Sequence, residues 1–235
     1  MDEPSAFLVF GGGSGIGRSV CATARDMGHR VISADRNVNR ADPWESVAVD
    51  ICDGSAVDAL ARDLRSTDTR IDSMVITAGI VSPAVIGEIS VATTRAVINT
   101  NVTAAIDIVA AVHDLIADNG ALVLFSSVAA VRGGGLLGAS TYAASKAALE
   151  GLTRGLAREM SPRGIRVNCV APGPTRTPML DGQPEVVMER VVSATLLKRL
   201  GDPAEIAAAV MFLCSPAASF ITGAVLPVDG GAHFA

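Results

Sequence analysis

The chain has 235 residues, 49% of them hydrophobic, with a formal net charge of −5 and a pI near 5.2. This length suits one α/β domain spanning 1–235. The acidic balance argues against a nucleic-acid partner, whose phosphates need clustered Lys and Arg.

The mean hydropathy of +0.42 fits a parallel sheet buried on both faces, or helices buried again between subunits. Apolar runs 6–10, 30–34, 46–49, 74–77, 121–126, 165–170 and 224–228 read as seven strands. Helical patterns over 15–27, 55–65, 90–118, 141–160 and 203–213 separate most of them. Strands alternating with helices predict right-handed βαβ units, hence a doubly wound parallel seven-stranded sheet, the Rossmann arrangement.

The first strand ends at Phe10, and Gly11-Gly12-Gly13-Ser14-Gly15-Ile16-Gly17 leads into the first helix. Glycines at such a turn let the backbone approach a pyrophosphate, and the helix N-terminus offers unpaired N–H groups to the anion. A glycine run alone is weak evidence; its place between a strand and a helix is the confirming context. The second strand ends at Asp35, whose carboxylate can accept the adenosine ribose hydroxyls and would repel a 2′-phosphate. NAD is therefore expected over NADP. Arg36 complicates this, because a guanidinium there can pair with that phosphate or stack on adenine. Asp35 also has a plainer reading, as the cap of a turn.

Only about eleven residues, 35–45, join the second strand to the third, near the minimum for a parallel crossover. Asp42-Pro43 breaks any helix there, so a loop or single turn is predicted. Asp50 and Ile51 follow the third strand, where Asp50 can meet the adenine amino group. Thr77-Ala78-Gly79 ends the fourth strand with small residues that let the chain pass beneath a cofactor. Within the helical stretch predicted over 90–118, Asn101 is expected at the start of a long helix that is apolar on nearly every side. Its amide can hold a water linking a lysine to solvent, or simply cap the helix.

The fifth strand closes on Ser126-Ser127, and either hydroxyl can stabilise a developing alkoxide. Tyr142 is the only tyrosine, and Lys146 lies four residues on, on the same helix face. A nearby cation favours a phenolate, so the phenol is expected below its ordinary value near 10 and ready to serve as general acid or base. Segment 179–199, with Met179, Leu180, Val186, Val187, Met188, Leu196 and Leu197, predicts a lid with helical pieces over an apolar pocket; packing alone is the competing reading. Asp202, Pro203 and Glu205 mark the start of the last helix. The uncharged stretch 207–228 is long enough to span a bilayer, yet Ser215-Pro216 interrupts it, so helix, turn and strand are expected. Cys21, Cys52, Cys169 and Cys214 form no CxxC pair and the three histidines no ligand-like spacing, so no metal is expected. No secretory signal is expected either, because 7–10 is too short for an apolar core, and a cytoplasmic protein is predicted.

In order, these motifs resemble the short-chain dehydrogenase/reductase superfamily: the glycine turn, Thr77-Ala78-Gly79, Asn101, Ser127, Tyr142-x-x-x-Lys146 and Pro172-Gly173. The resemblance covers essentially the whole chain, through Val228-Asp229-Gly230-Gly231. It implies a catalytic tetrad of Asn101, Ser127, Tyr142 and Lys146. It implies a cofactor site made by Gly11, Ser14, Gly15, Ile16, Gly17, Asp35, Arg36, Asp50, Ile51, Ala78, Gly79, Tyr142, Lys146, Pro172, Gly173, Thr175 and Thr177. Lys146 would hold the nicotinamide ribose and Thr177 the carboxamide. Phe10 departs from the family's threonine, which removes one local hydrogen bond. Ile76-Thr77 replaces a pair of asparagines. The interval from Ser127 to Tyr142 is longer than usual and contains Gly133-Gly134-Gly135, which keeps Ser126 in play beside Ser127.

The function expected is hydride transfer between NAD(H) and a secondary alcohol or ketone, on a small-molecule substrate. The alternatives are an NADPH-dependent reductase of carrier-bound 3-oxoacyl groups and a dinucleotide-binding sensor without chemistry. An enoyl reductase would space Tyr and Lys more widely, and a sugar epimerase would need a larger substrate domain. The apolar helix after Asn101 and the small residues Ala143, Ala147, Ala148, Gly151 and Gly155 predict helices that meet their copies in a homodimer; the family resemblance implies a homotetramer.

Overall fold

Residues 5–134 and 137–234 are described in a computed structural model; Gly135 lies outside them. Seven strands form one parallel sheet: β1 Ala6–Phe10, β2 Arg30–Asp35, β3 Glu45–Ala48, β4 Ile71–Ile76, β5 Ile116–Phe125, β6 Arg166–Pro172 and β7 Val225–Val228. Their spatial order is β3-β2-β1-β4-β5-β6-β7. The order turns outward in both directions between β1 and β4, and the crevice above such a point is where open α/β sheets bind ligands.

Alternation along β1 divides the core into two layers. Leu8 and Phe10 join Val57, Leu60, Ile108, Leu149 and Leu156 on one face. Phe7 and Val9 join Val20, Cys21, Ile206 and Val210 on the other. The first layer belongs to helices α2 Gly54–Ser66, α4 Ala104–Val112 and α6 Ser140–Met160; the second to α1 Gly15–Asp26 and α8 Pro203–Cys214. A strand covered on both faces must be apolar throughout, and all five residues of β1 are buried.

The crossover from β2 to β3 contains no helix, as its length predicts. The long helix expected over 90–118 is corrected. It consists of α3 Val91–Ile98, a π turn Asn99–Thr103, α4 and a 3-10 turn His113–Leu115. Ile116 already pairs with Ile71 of β4, so the sheet claims residues whose helical periodicity had looked continuous. By length and composition Val91–Leu115 could cross a membrane. Here its Ala104, Ile108 and Val112 pack into the core. The stretch 207–228 resolves into the end of α8, a turn and β7, as expected. Two shorter helices complete the set, α5 Val128–Arg132 and α7 Glu185–Ser193. The start of α8 is a capping box: Asp202 accepts the Ala204 N–H at 2.9 Å and Glu205 accepts the Asp202 N–H at 2.8 Å.

Leu124 sits fully buried on β5, just before the Ser126-Ser127 pair. Leu124→Ala should cost about 2–5 kcal/mol in urea unfolding. A loss below that range would show that this layer is looser than its burial indicates.

Candidate active site

The carboxyl ends of the central strands open into one cavity of about 730 Å³. Its floor begins at the β1–α1 turn. Gly11 has φ +90, a backbone that L side chains rarely adopt, and a Cβ there would meet the Ala78 nitrogen at 2.6 Å. Ser14, Gly15, Ile16 and Gly17, the first turn of α1, also line the cavity, so the helix's unpaired N–H groups face it. A Cβ on Gly17 would run into the Gly11 carbonyl, which keeps helix and turn in close contact.

Thr77 compensates for Phe10. A threonine at the end of β1 would have tied this turn with its own hydroxyl; instead Thr77 Oγ1, at the end of β4, lies 3.0 Å from the Phe10 carbonyl and 3.1 Å from that of Gly11. A hydroxyl has one proton, so the two acceptors share it.

Asp35 serves the turn and borders the cavity. Its Oδ2 accepts the Gly13 N–H at 3.0 Å and its Oδ1 the Asn37 N–H at 2.9 Å, so it caps the turn. It also lines the cavity beside Arg36, and Asp50 and Ile51 line the same end. Ala78, Gly79, Pro172, Gly173, Thr175 and Thr177 line it further along, so every expected cofactor residue borders one cavity. The cradle of glycines and helix N–H groups fits a dinucleotide pyrophosphate.

Tyr142, Lys146, Ser126 and Ser127 border it as well. The two serine hydroxyls turn in different directions. Ser126 is buried and its Oγ turns into α6, 2.9 Å from Glu150 Oε1 and 3.1 Å from the Lys146 carbonyl. Ser127 caps α5, its Oγ accepting the Ala129 N–H at 3.1 Å. That uses an acceptor site and leaves the hydroxyl proton to donate, and the hydroxyl is near enough to the Tyr142 phenol to favour its ionised form.

The phenol departs from expectation. Burial pushes the Tyr142 phenol above the ordinary tyrosine value, and the nearby Ser127 hydroxyl opposes that rise. Lys146 has no such effect from the protein alone. Its Nζ lies 5.9 Å from the tyrosine ring centroid and donates to the Phe125 carbonyl at 2.9 Å. Burial also brings the amine down to about 8. Sharing a helix face thus puts the two side chains together without ionising the phenol.

Asn101 is corrected too. It starts no helix but occupies the π turn, a device that recurs at functional sites. It is buried and does not line the cavity. Its Oδ1 accepts the Ile80 N–H at 2.8 Å, and its Nδ2 donates to the Ile80 carbonyl and to Ser145 Oγ, each at 2.9 Å. A Cβ placed on Gly79 would lie 3.1 Å from Asn101 Oδ1 and 3.2 Å from Lys146 Nζ, so the carboxamide and the ammonium flank the same glycine.

Of the segment 179–199, only Met179 and Leu180 line the cavity. Val186, Leu196 and Leu197 are exposed, so the pocket is less dependent on this segment than expected. Val81, just past Gly79, and Leu137 and Gly138, in the loop leading to α6, contribute further walls. Any side chain at Gly138 would strike the Tyr142 ring. Among the described residues no cluster of His, Cys, Asp and Glu can hold a metal.

A doubly wound sheet with a glycine cradle at its switch point and a Tyr–Lys pair on the adjoining helix defines a dinucleotide-dependent oxidoreductase. A family model described as enoyl-(acyl carrier protein) reductase matches residues 11–233. The chain is 36% identical to the protein FixR of Bradyrhizobium diazoefficiens, over 98% of this chain and 87% of that one. It is 32% identical to an acetoacetyl-CoA reductase of an Acinetobacter species, over 99% of both chains. A solved structure of a blue fluorescent protein from a metagenomic library, in complex with NADPH, superposes with a TM-score of 0.87 at 30% identity, covering 97% of each chain. The chain belongs to the short-chain dehydrogenase/reductase superfamily.

Two outcomes follow from the buried pair. Tyr142 is the only tyrosine, so phenolate absorbance reads it alone. Without nucleotide its midpoint should lie above the ordinary tyrosine value; a midpoint at or below that value contradicts the burial argument. Lys146 gives a second test through linkage. With its amine at about 8 in the folded chain against 10.5 in the open chain, the unfolded state holds more protons between those values. Stability therefore rises with pH across that window. Lys146→Met should be no less heat-stable than the parent at pH 7, and the parent should gain on it from pH 8 upward; a gap independent of pH would overturn the assignment.

Proposed function

We propose that this protein transfers a hydride between NAD(H) and a secondary alcohol or ketone, with Tyr142 as general acid and base. The observation that carries the reading is the Ser127 hydroxyl beside the Tyr142 phenol, on the wall of the cavity that begins at the glycine turn. The nicotinamide, when bound, supplies the hydride acceptor or donor. In the alcohol-oxidising direction, Tyr142 takes the hydroxyl proton at its phenol oxygen, and Ser127 donates a hydrogen bond to the same substrate oxygen. Lys146 holds the nicotinamide ribose and adds positive charge near the phenol. Asn101, from behind Gly79, holds a water that passes the proton outward. Gly11, Ser14, Gly15, Ile16 and Gly17 cradle the pyrophosphate; Asp50 and Ile51 meet the adenine. Ala78, Gly79, Pro172, Gly173, Thr175 and Thr177 enclose the nicotinamide half.

Asp35 favours NAD, since its carboxylate accepts ribose hydroxyls and repels a 2′-phosphate. Apolar walls at Val81, Leu137, Met179 and Leu180 suit a modest apolar carbonyl compound. The second reading, an NADPH-dependent reductase of 3-oxoacyl thioesters, draws support from the acetoacetyl-CoA reductase relative and from the NADPH-bound neighbour. The net charge of −5 weighs against docking an acidic carrier protein. A cytoplasmic homodimer or homotetramer completes the proposal. Ile106 on α4 and Ala147, Ala148 and Gly151 on α6 are exposed, and small residues there allow close helix packing.

A panel of secondary alcohols with NAD or NADP tests the reading. Tyr142→Phe should lower turnover by at least about a hundredfold while NADH affinity is unchanged. Retained turnover removes the mechanism, and tighter NADPH than NADH binding removes the role given to Asp35.

A further inference from the structure

The end of β5 is held from two sides. From β6, the Val170 carbonyl accepts the Ser126 N–H at 2.9 Å, and Cys169 Sγ lies 3.2 Å from the same nitrogen. From α6, Lys146 Nζ donates to the Phe125 carbonyl at 2.9 Å. The Ser126 hydroxyl then reaches back to α6, to Glu150 Oε1 at 2.9 Å and the Lys146 carbonyl at 3.1 Å. It has one proton to give. A carboxylate is the stronger acceptor, so the proton goes to Glu150 and the contact with Lys146 is secondary. Ser126 is only 3% exposed, so the donor end of this bond is shielded from competing water, while Glu150 is half-buried.

Ser127 follows directly, and Glu150 stands one helical turn beyond Lys146. The reaction requires Ser127 from the strand and Tyr142 and Lys146 from the helix to meet at one substrate oxygen. No covalent link fixes the strand end against the helix; the bonds just described do. We propose that Ser126 and Glu150 form a positioning clamp that sets the distance between Ser127 and the Tyr142–Lys146 face for the reaction. The inference rests on the function proposed above. Neither residue touches substrate. Ser126 acts through its neighbour on the chain, Glu150 through the helix it shares with Tyr142.

The clamp has a specific signature. Ser127 is the group that lowers the Tyr142 phenol against the effect of burial. If the clamp loosens and Ser127 swings away, the phenol should titrate higher still. Removing acceptor or donor should have the same consequence, and removing both should add little, because one bond is lost in either case. A glutamine at 150 keeps a carbonyl oxygen for the Ser126 hydroxyl and should restore the parent behaviour.

The experiment compares Ser126→Ala, Glu150→Ala, Glu150→Gln and the double alanine variant. Turnover is measured with cyclohexanol or isopropanol, whichever the parent oxidises faster. Tyr142 is titrated by absorbance without nucleotide, and NADH affinity is measured by fluorescence. The expected result is a fall in kcat of about tenfold in both alanine variants. NADH affinity should not change, the phenol midpoint should move upward, the double variant should be no worse than the single ones, and Glu150→Gln should match the parent. Alanine variants with parental kcat and parental midpoint overturn the clamp, as does a double variant whose losses are the sum of the two. A parent that oxidises neither alcohol puts the proposed function in question; the clamp is then decided by the titration and the NADH affinity, which need no turnover.

Discussion

The site depends on holding one ammonium group in a place where water cannot solvate it. Lys146 is buried on the inner face of α6, and its Nζ finds a main-chain carbonyl, that of Phe125, at the last residue of β5. That bond joins the helix bearing the tyrosine to the strand bearing the serine. It also has a cost: desolvation brings the amine down to about 8, so the charge is held against its own solvation preference. The rest of the site is arranged around that compromise. Asn101 flanks the same glycine as the ammonium, Ser126 ties the strand end to the next turn of α6, and the π turn carries the buried Asn101.

Much of this was legible in the sequence for a simple reason. The central strands, buried on both faces, are apolar almost throughout, and six of the seven strands lie within three residues of their expected limits, β5 alone beginning five residues earlier. The glycine turn was legible because a positive φ at Gly11 and a close approach at Gly17 each demand glycine. The helix pair Tyr142 and Lys146 followed from spacing alone. What failed was of another kind. The stretch 90–118 is apolar in a helical period, yet residues from Ile116 onward belong to β5, because pairing with β4 outweighs local periodicity. No periodicity announces a π turn, so Asn101 was placed at a helix start where it does not lie.

The electrostatics were the least legible part. Spacing brings a lysine close to a tyrosine, but the sign of the phenol's shift depends on burial and on where the ammonium points. Here the ammonium points at a carbonyl, and burial raises the phenol. Proximity in sequence is a statement about geometry; a pKa is a statement about solvation, and the two are separate quantities.

The same separation explains how this chain tolerates its unusual residues. Phe10 has no hydroxyl to tie the glycine turn, yet the turn is tied, from the opposite strand, by Thr77. The turn has carbonyls that must find a donor when it is packed under a ligand, but the donor can come from either neighbour in the sheet. β1 and β4 lie side by side, with Phe10 opposite Ile76, so a hydroxyl lost from the end of one can be supplied just past the end of the other. Read singly, each substitution is a departure from the family pattern. Read across the sheet, they form one hydrogen-bonding arrangement with its donor moved by one strand, and the register of the parallel pair is what makes the exchange work.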